Sequence, residues 1–501
     1  MAIRTYGLSG SGMDVDQMVK DLMKAQRARY DTLVQKKTQT EWKKSDYNTM
    51  YTAINDFRNT VFNYKMSSTV SPKLATSSNQ AVATVTSDGD AANITHNLNV
   101  TQLAKGVTLT SAGSDNTTTT DDTITTGTSK DTLANQFTGL SGTFTVKITN
   151  GTSSKEISID TSQSIYQVVS DINNAGINVK ASYDTTLDRF FLSTTNTGAS
   201  ASLDFTGSDP AGINFLQDNL KLNVNPADNK GQDAKFTLDS AMVTQTTNTF
   251  TISGITYNLQ GEGLTTVAVK PDNDKTIANV KAFIEAYNST LSKLNAELTE
   301  DKYKDYLPLT TEQKKAMSET EITAWEAKAK SGSLRRNPTL QDAVTKMRSA
   351  VYSPVAGLTG KYTSLSNLGI TTGDYSENGI LHLDDDTKLK QALEEDPDII
   401  NKLFNASGDT SSKKGIAGRL YDTLKVSMDK IGDEAGYTAG ISGDTKSTLA
   451  NLIRDYDKQM TSLADRLDNM EESYYNKFNA MEIALSKLSQ QSSWLTSQLS
   501  S

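Results

Sequence analysis

The sequence predicts an α+β chain of several domains: a helical stalk built from both ends, a helical body, and β-rich modules inserted between them. Three observations predict it. Residues 14–66 run without proline or glycine and carry apolar side chains at helical spacing. Residues 444–494 do the same at the other end. Between them, from about residue 81 to 259, the apolar period shortens to two, the spacing of strands.

The first helix opens at Asp14, an N-cap residue, with Gln17 three positions on as in a capping box and Asp16 in the first turn. Its apolar residues are Val15, Met18, Val19, Leu22, Met23 and Leu33, then Tyr47, Met50, Tyr51, Ile54, Phe57, Val61 and Tyr64. Pro72 closes the region. Ahead of it, residues 1–13 are rich in Gly and Ser and are expected to be disordered when free.

The last helix has Asp444 as its expected cap. Its seam is Leu449, Leu452, Tyr456, Met460, Leu463, Leu467, Met470, Tyr474, Phe478, Met481, Leu485 and Leu488, spaced by threes and fours. Burying such a set contributes roughly 20–35 kcal/mol gross. A lone helix cannot collect it, so the helix needs a partner, most simply the first one.

In the middle, Val82, Thr84 and Thr86, then Ile94, His96, Leu98 and Val100, alternate as strands. The Thr-rich stretch 111–130 reads as a loop. Phe144, Val146 and Ile148 return through Asn150-Gly151 to Ile157 and Ile159, a hairpin signature. A short helix carries Ile165, Val168, Val169 and Ile172, and strands follow at 179–183, 189–192, 236–238, 250–252 and 257–259. Helical spacing resumes from Thr276 through Ile277, Val280, Phe283, Ile284, Tyr287, Leu291 and Leu294, with further helices to 330 and over 340–351.

Composition excludes several functions. The chain has 501 residues, too many for one core. It is 36% hydrophobic with a mean hydropathy of -0.49, which suits an elongated molecule. Its net charge is -9 with no basic tract, so a nucleic-acid binder is not expected. There is no cysteine, hence no disulfide and no thiolate metal ligand. No stretch reaches the eighteen or so apolar residues of a membrane span, and no apolar signal-peptide core follows Met1.

Catalytic motifs are missing too. The two histidines, His96 and His382, stand far apart, so no zinc or iron site is expected. His96 reads as a partly buried strand residue. The glycines of 7–12 follow no strand and lack the dinucleotide order. Gly360-Lys361 lacks the rest of a phosphate loop, with Val355 and Tyr362 at the key positions. Asp384, Asp385 and Asp386 read as the start of the helix carrying Leu389 and Leu393. No cofactor is expected and no enzyme is indicated.

Several segments resemble a known family. GLSGSGMD (7–14), VTQLA (100–104) and DINNAGINVKASYD (171–184) are similar to pieces of flagellar axial proteins. So are Gln232-Asp233-Ala234 with Phe236, Asn248-Thr249 and Gly254-Ile255. YLPLTTEQKKAMSETEITAWEAKAKSG (306–332), LGITTG (368–373) and DRLDNMEESYYNKFNAMEIALSKLSQQSSWL (465–495) are the most specific. Together they resemble the flagellar filament cap family, FliD or hook-associated protein 2.

The resemblance implies a homo-oligomeric ring of roughly four to six subunits at the distal filament tip. It implies promotion of the folding and insertion of exported flagellin. It also implies neighbouring hook–filament junction proteins, a type III export chaperone on the C-terminal region, and export without a cleaved signal peptide. Its domain plan is 1–45 with 465–501 as stalk, 46–69 with 271–464 as leg, 70–115 with 231–270 as one β-rich head domain, and 116–230 as an outer one. The expected coiled-coil and partner-binding residues are Leu22, Met23, Tyr51, Ile54, Leu463, Leu467, Met470, Tyr474, Phe478, Met481, Leu485 and Leu488. Another axial protein, or a surface adhesin acting through the β head, are the alternative readings.

Overall fold

The computed structural model of the chain describes residues 14–111, 124, 131–137, 139–437 and 444–499. The expected disordered lead 1–13 and almost all of the Thr-rich loop 111–130 lie outside the described residues. Two units form: Met1–Val70 with Asn273–Ser501, and Ser71–Asp272.

The first element, α1 (Val15–Asn63), is one unbroken helix of 49 residues. Asp14 caps it, its carboxylate accepting the Gln17 N–H at 3.0 Å. The expected return bond of a capping box is replaced: the Gln17 amide donates to Asp21 instead, at 3.1 Å. A short helix α2 (Ser67–Val70) follows.

The unit Ser71–Asp272 holds two apolar cores. One is shared by two antiparallel sheets. The larger has the strand order β1 (Lys73–Ser77), β13 (Gly263–Pro271), β3 (Thr95–Gln102), β9 (Ala234–Leu238), β10 (Ala241–Gln245). The smaller has the order β11 (Thr249–Ile252), β12 (Ile255–Leu259), β2 (Ala83–Ser87). Leu98, Val100, Phe236, Tyr257 and Val267 meet between them. Ile94, expected on the inward face, precedes β3 and is exposed.

The other core lies under β4 (Thr108–Thr110), β8 (Arg189–Thr194) and β7 (Val179–Asp184), beside the hairpin β5 (Thr143–Asn150) and β6 (Ser153–Asp160). Helices α3 (Leu133–Gln136), α4 (Ile165–Asn173) and α5 (Pro210–Asn214) complete it. The hairpin turns at Asn150-Gly151, where Gly151 has φ +60° and a Cβ would approach the Ser200 carbonyl to 2.8 Å. The chain passes from the first core at Ala104 to the second at Val107. Strand β4 pairs with β8, so Thr108–Thr110 stand with the second core.

Strands β1, β10 and β13 escaped the alternation argument. In β13 the inward series is Thr265, Val267, Val269. Thr265 is buried as a polar residue, bonded to Ser77 at 2.8 Å and to the Asn79 N–H at 3.0 Å, and it interrupts the apolar pattern.

The helical unit resumes with α6 (Asn273–Thr299), which buries the stripe expected of it from Ile277 to Leu294. Then come α7 (Thr311–Lys315), α8 (Glu319–Lys330) and α9 (Pro338–Tyr352). A two-stranded hairpin, β14 (Thr371–Thr372) with β15 (Leu381–His382), leads to α10 (Thr387–Glu395), α11 (Ile399–Asn405) and α12 (Ile416–Ala435). The last element is α13 (Thr448–Leu499), 52 residues long. The body core gathers Tyr47, Ile54, Phe57, Phe283, Tyr287, Phe404 and Leu420.

Asp444 does not cap α13 directly. Ser447 does, its hydroxyl accepting the Ala450 N–H at 3.3 Å. Asp444 accepts the N–H groups of Lys446 and Ser447, both at 3.1 Å. Its other oxygen meets Lys44 of α1 at 2.8 Å, and both side chains are enclosed, with 1% and 8% exposure. Gly436, at φ +92°, makes room: a Cβ there would collide with the carboxylate.

Burial works against a charged Asp444, but Lys44, Ser447 and the two amides outweigh it and hold the carboxyl well below its ordinary range. A depressed carboxyl adds stability that is complete above the unfolded-chain value near 4 and is lost as pH falls through the folded value. Asp444→Asn is expected to cost about 3–5 kcal/mol at pH 7 by stranding the Lys44 ammonium. It should also flatten the loss of stability below pH 4. Denaturant unfolding at both pH values checks this; a variant as stable as the parent at pH 7 contradicts it.

Candidate partner-binding surface

Four pairs set the direction of α13 on α1: Lys44–Asp444 at 2.8 Å, Lys37–Asp457 at 2.6 Å, Arg27–Glu471 at 3.7 Å and Tyr475–Asp16 at 2.9 Å. As the number rises on one helix it falls on the other, so the pair is antiparallel. Only the first of these is buried. The outer ones lie in solvent, where such pairs contribute about 0–1 kcal/mol.

The apolar seam carries the rest. Val19 and Met23 of α1 close over Leu467 of α13, with Val15, Tyr30, Leu463, Met470, Tyr474, Tyr475 and Phe478 half-buried around them. Of the expected residues, Met23, Leu463, Leu467, Met470, Tyr474 and Phe478 therefore come together. Leu22 does not: the seam steps from Val19 to Met23, leaving Met18 and Leu22 exposed on its flank. Leu452 is likewise outside, because Ile453 takes its place.

Tyr51 and Ile54 belong elsewhere. Ile54 is fully enclosed in the body core, and Tyr51 packs edge-on to Tyr437, with ring centroids 6.4 Å apart.

Beyond Phe478, α13 continues past the first described turn of α1. Its final stretch, 479–499, spans ~30 Å at about 1.5 Å per residue. Met481, Leu485 and Leu488 are exposed there, together with Ile483, Trp494, Leu495 and Leu499. Only Glu482 and Lys487 are charged in this stretch. The stretch is thus a nearly uncharged helix with an extended apolar surface. The single-register seam foresaw part of it. Ile483 and Trp494 lie outside that register; Leu495 and Leu499 continue it past Leu488, where the expected seam ended.

Among the described residues, no group of three or more His, Asp or Glu could hold a metal, and no helix is long and apolar enough to cross a membrane. The His96 ring is bonded to Asp239 at 2.8 Å and largely covered. Asp385 accepts the Thr387 N–H at the start of α10. Asp386 is held down to about 2 by Lys390 and Lys281.

Residues 11–106 match the N-terminus, and residues 231–490 the C-terminus, of flagellar hook-associated protein 2. The chain belongs to the flagellar hook-associated protein 2 family. The family member from Halalkalibacterium halodurans (strain ATCC BAA-125 / DSM 18197 / FERM 7344 / JCM 9153 / C-125) is 31% identical over 94% of this chain and 95% of its own. That of Escherichia coli (strain K12) is 26% identical over 98% and 96%. Among solved structures, the D1-D2-D3 domains of the flagellar cap protein FliD from Escherichia coli share the fold, with a TM-score of 0.52 at 21% identity, over 82% of this chain and 99% of that one. The C-terminal hook-associated protein 2 match takes in both the seam and the first half of the exposed stretch, to residue 490.

Within this chain the two parts of α13 should respond oppositely to the same change. Leu467→Asp places a charge inside the seam and is expected to detach α13, lowering helical circular dichroism and thermal stability. Leu488→Asp touches no seam and should shift stability by no more than about 0.5 kcal/mol. Equal effects of the two would contradict the placement.

Proposed function

We propose that the chain is a subunit of the cap at the distal tip of the bacterial flagellar filament. It acts by binding: a ring of subunits holds exported flagellin while it folds and inserts, and prevents its loss. Family membership and the fold shared with a cap protein support the reading. The observation that carries it is the exposed apolar end of α13, which gives the chain a long helical arm for the neighbouring axial subunits.

The stalk residues Met23, Leu463, Leu467, Met470, Tyr474 and Phe478 hold the arm to α1. Met481, Leu485 and Leu488 meet the partner. Flagellin and the hook–filament junction proteins fit that role in the filament, and an export chaperone fits it before secretion. Covering 479–499 in the cell would shield a stripe that otherwise invites self-association. Export by the flagellar type III route, without a cleaved signal peptide, belongs to the same reading.

The test is complementation of a deletion strain. The parent chain should restore filaments and label the filament tip. Leu485→Asp with Leu488→Asp should leave a folded chain that no longer caps, so that flagellin is released as monomer and swimming is lost. Normal filaments and swimming with the double variant would defeat the proposal.

A further inference from the structure

The two stalk helices are held to the body very unequally. Over its 52 residues, α13 buries Leu449, Ala450, Ile453 and Leu467, three of them in its first two turns. The helix α1 buries eleven residues, and Tyr47, Met50, Ile54, Phe57 and Val61 among them belong to the body core. Beyond Ile453, α13 rests on the half-buried seam and on exposed ion pairs.

A separate piece of chain grips α1. Residues 301–333 form an excursion between α6 and α9. Its neck is tied shut: the Gly332 N–H donates to Glu300 at 2.6 Å, the Ser331 hydroxyl to the Asp301 carbonyl at 2.5 Å, and Arg335 to the Glu300 carbonyl at 2.7 Å. Gly332 sits at φ +70°, with a Cβ there only 2.9 Å from the Asp301 carbonyl oxygen.

The far part is rigid in its own right. Both α7 and α8 begin with complete capping boxes, Thr310 with Gln313 and Ser318 with Glu321. Trp325 donates its indole N–H to the Leu307 carbonyl at 2.8 Å and lies 4.5 Å from the Tyr306 ring.

This excursion reaches α1 at two places. Gln35 donates to the Pro308 carbonyl at 2.9 Å. Eleven residues further along α1, Asp46 takes Lys330 at 3.1 Å and the Ser333 hydroxyl at 2.5 Å. The two points lie ~16 Å apart along the helix. None of these bonds involves α13.

We propose that residues 301–333 are a clamp that keeps α1 on the body while α13 swings free of it. The stalk then opens from one side only. With α1 clamped and the root of α13 pinned by Lys44–Asp444, release of the seam presents Leu463, Leu467, Met470, Tyr474 and Phe478 to an apolar helix of another chain. The arm can be passed between partners without unfolding the body.

Amide hydrogen exchange on the full chain, read by mass spectrometry, tests this independently of flagellar assembly. In Leu467→Asp, residues 456–478 are expected to lose protection by roughly tenfold or more, while 33–50 of α1 keep theirs. Adding Gln35→Ala and Trp325→Ala to that variant should release 33–46 by a similar factor. Unchanged protection in α9 and α12 reports an intact body in each case. Two results overturn the clamp: α1 opening together with α13 in Leu467→Asp alone, or α1 staying closed in the triple variant.

Discussion

A single buried ammonium–carboxylate pair fixes how the ends of this chain meet. Lys44 comes from the middle of α1 and Asp444 from the approach to α13, four hundred residues later. Enclosing two charges is costly, and replacing such a pair by apolar residues is often neutral or stabilising. Its value lies in register. A greasy seam with a repeat of three and four can slide by a turn with little penalty; a buried lysine cannot accept any neighbour but its carboxylate. Gly436 and Ser447 shape the pocket that holds that carboxylate. From this point outward the antiparallel direction, the pairing of Leu467 with Val19 and Met23, and the length of helix that runs on beyond Phe478 all follow.

The energetic gradient along the stalk suits an assembly protein. Near the body, α1 is wrapped by α6, α12 and the excursion 301–333. Further out it is paired with α13 alone through half-buried contacts, and 479–499 is exposed. Local opening therefore costs least at the tip and most at the root. An arm graded in this way can open at its tip while the rest of the fold stays intact, which a uniformly buried helix could not do.

Much of this was legible in the residues. The absence of Pro and Gly over 14–66 and 444–494 marked the two long helices. Asn150-Gly151 marked the hairpin, and the spacing of Ile277 to Leu294 marked α6. What failed did so for identifiable reasons. Leu22 and Leu452 are apolar and in phase, but each competes with a neighbour one position away, Met23 and Ile453, that the true crossing favours. Ile54 lies on the same stripe as the stalk residues, and periodicity along one helix does not say where its partner changes. Thr265 hid β13 because its inward polarity is satisfied by Ser77, Ser78 and Asn79, partners nearly two hundred residues away. The clamp on α1 was beyond reach for the same reason: the sequence shows helix-prone segments, not what they hold.

Zero-length cross-linking of the isolated chain tests the central claim most directly. A carbodiimide joins a lysine to a carboxylate only when they touch, and Lys37 lies 2.6 Å from Asp457 at an accessible site. Mixing isotope-labelled and unlabelled chains separates links within one molecule from links between two. The account predicts a Lys37–Asp457 amide formed within single chains. Finding that link only between labelled and unlabelled chains, or not at all in a folded sample, would contradict it.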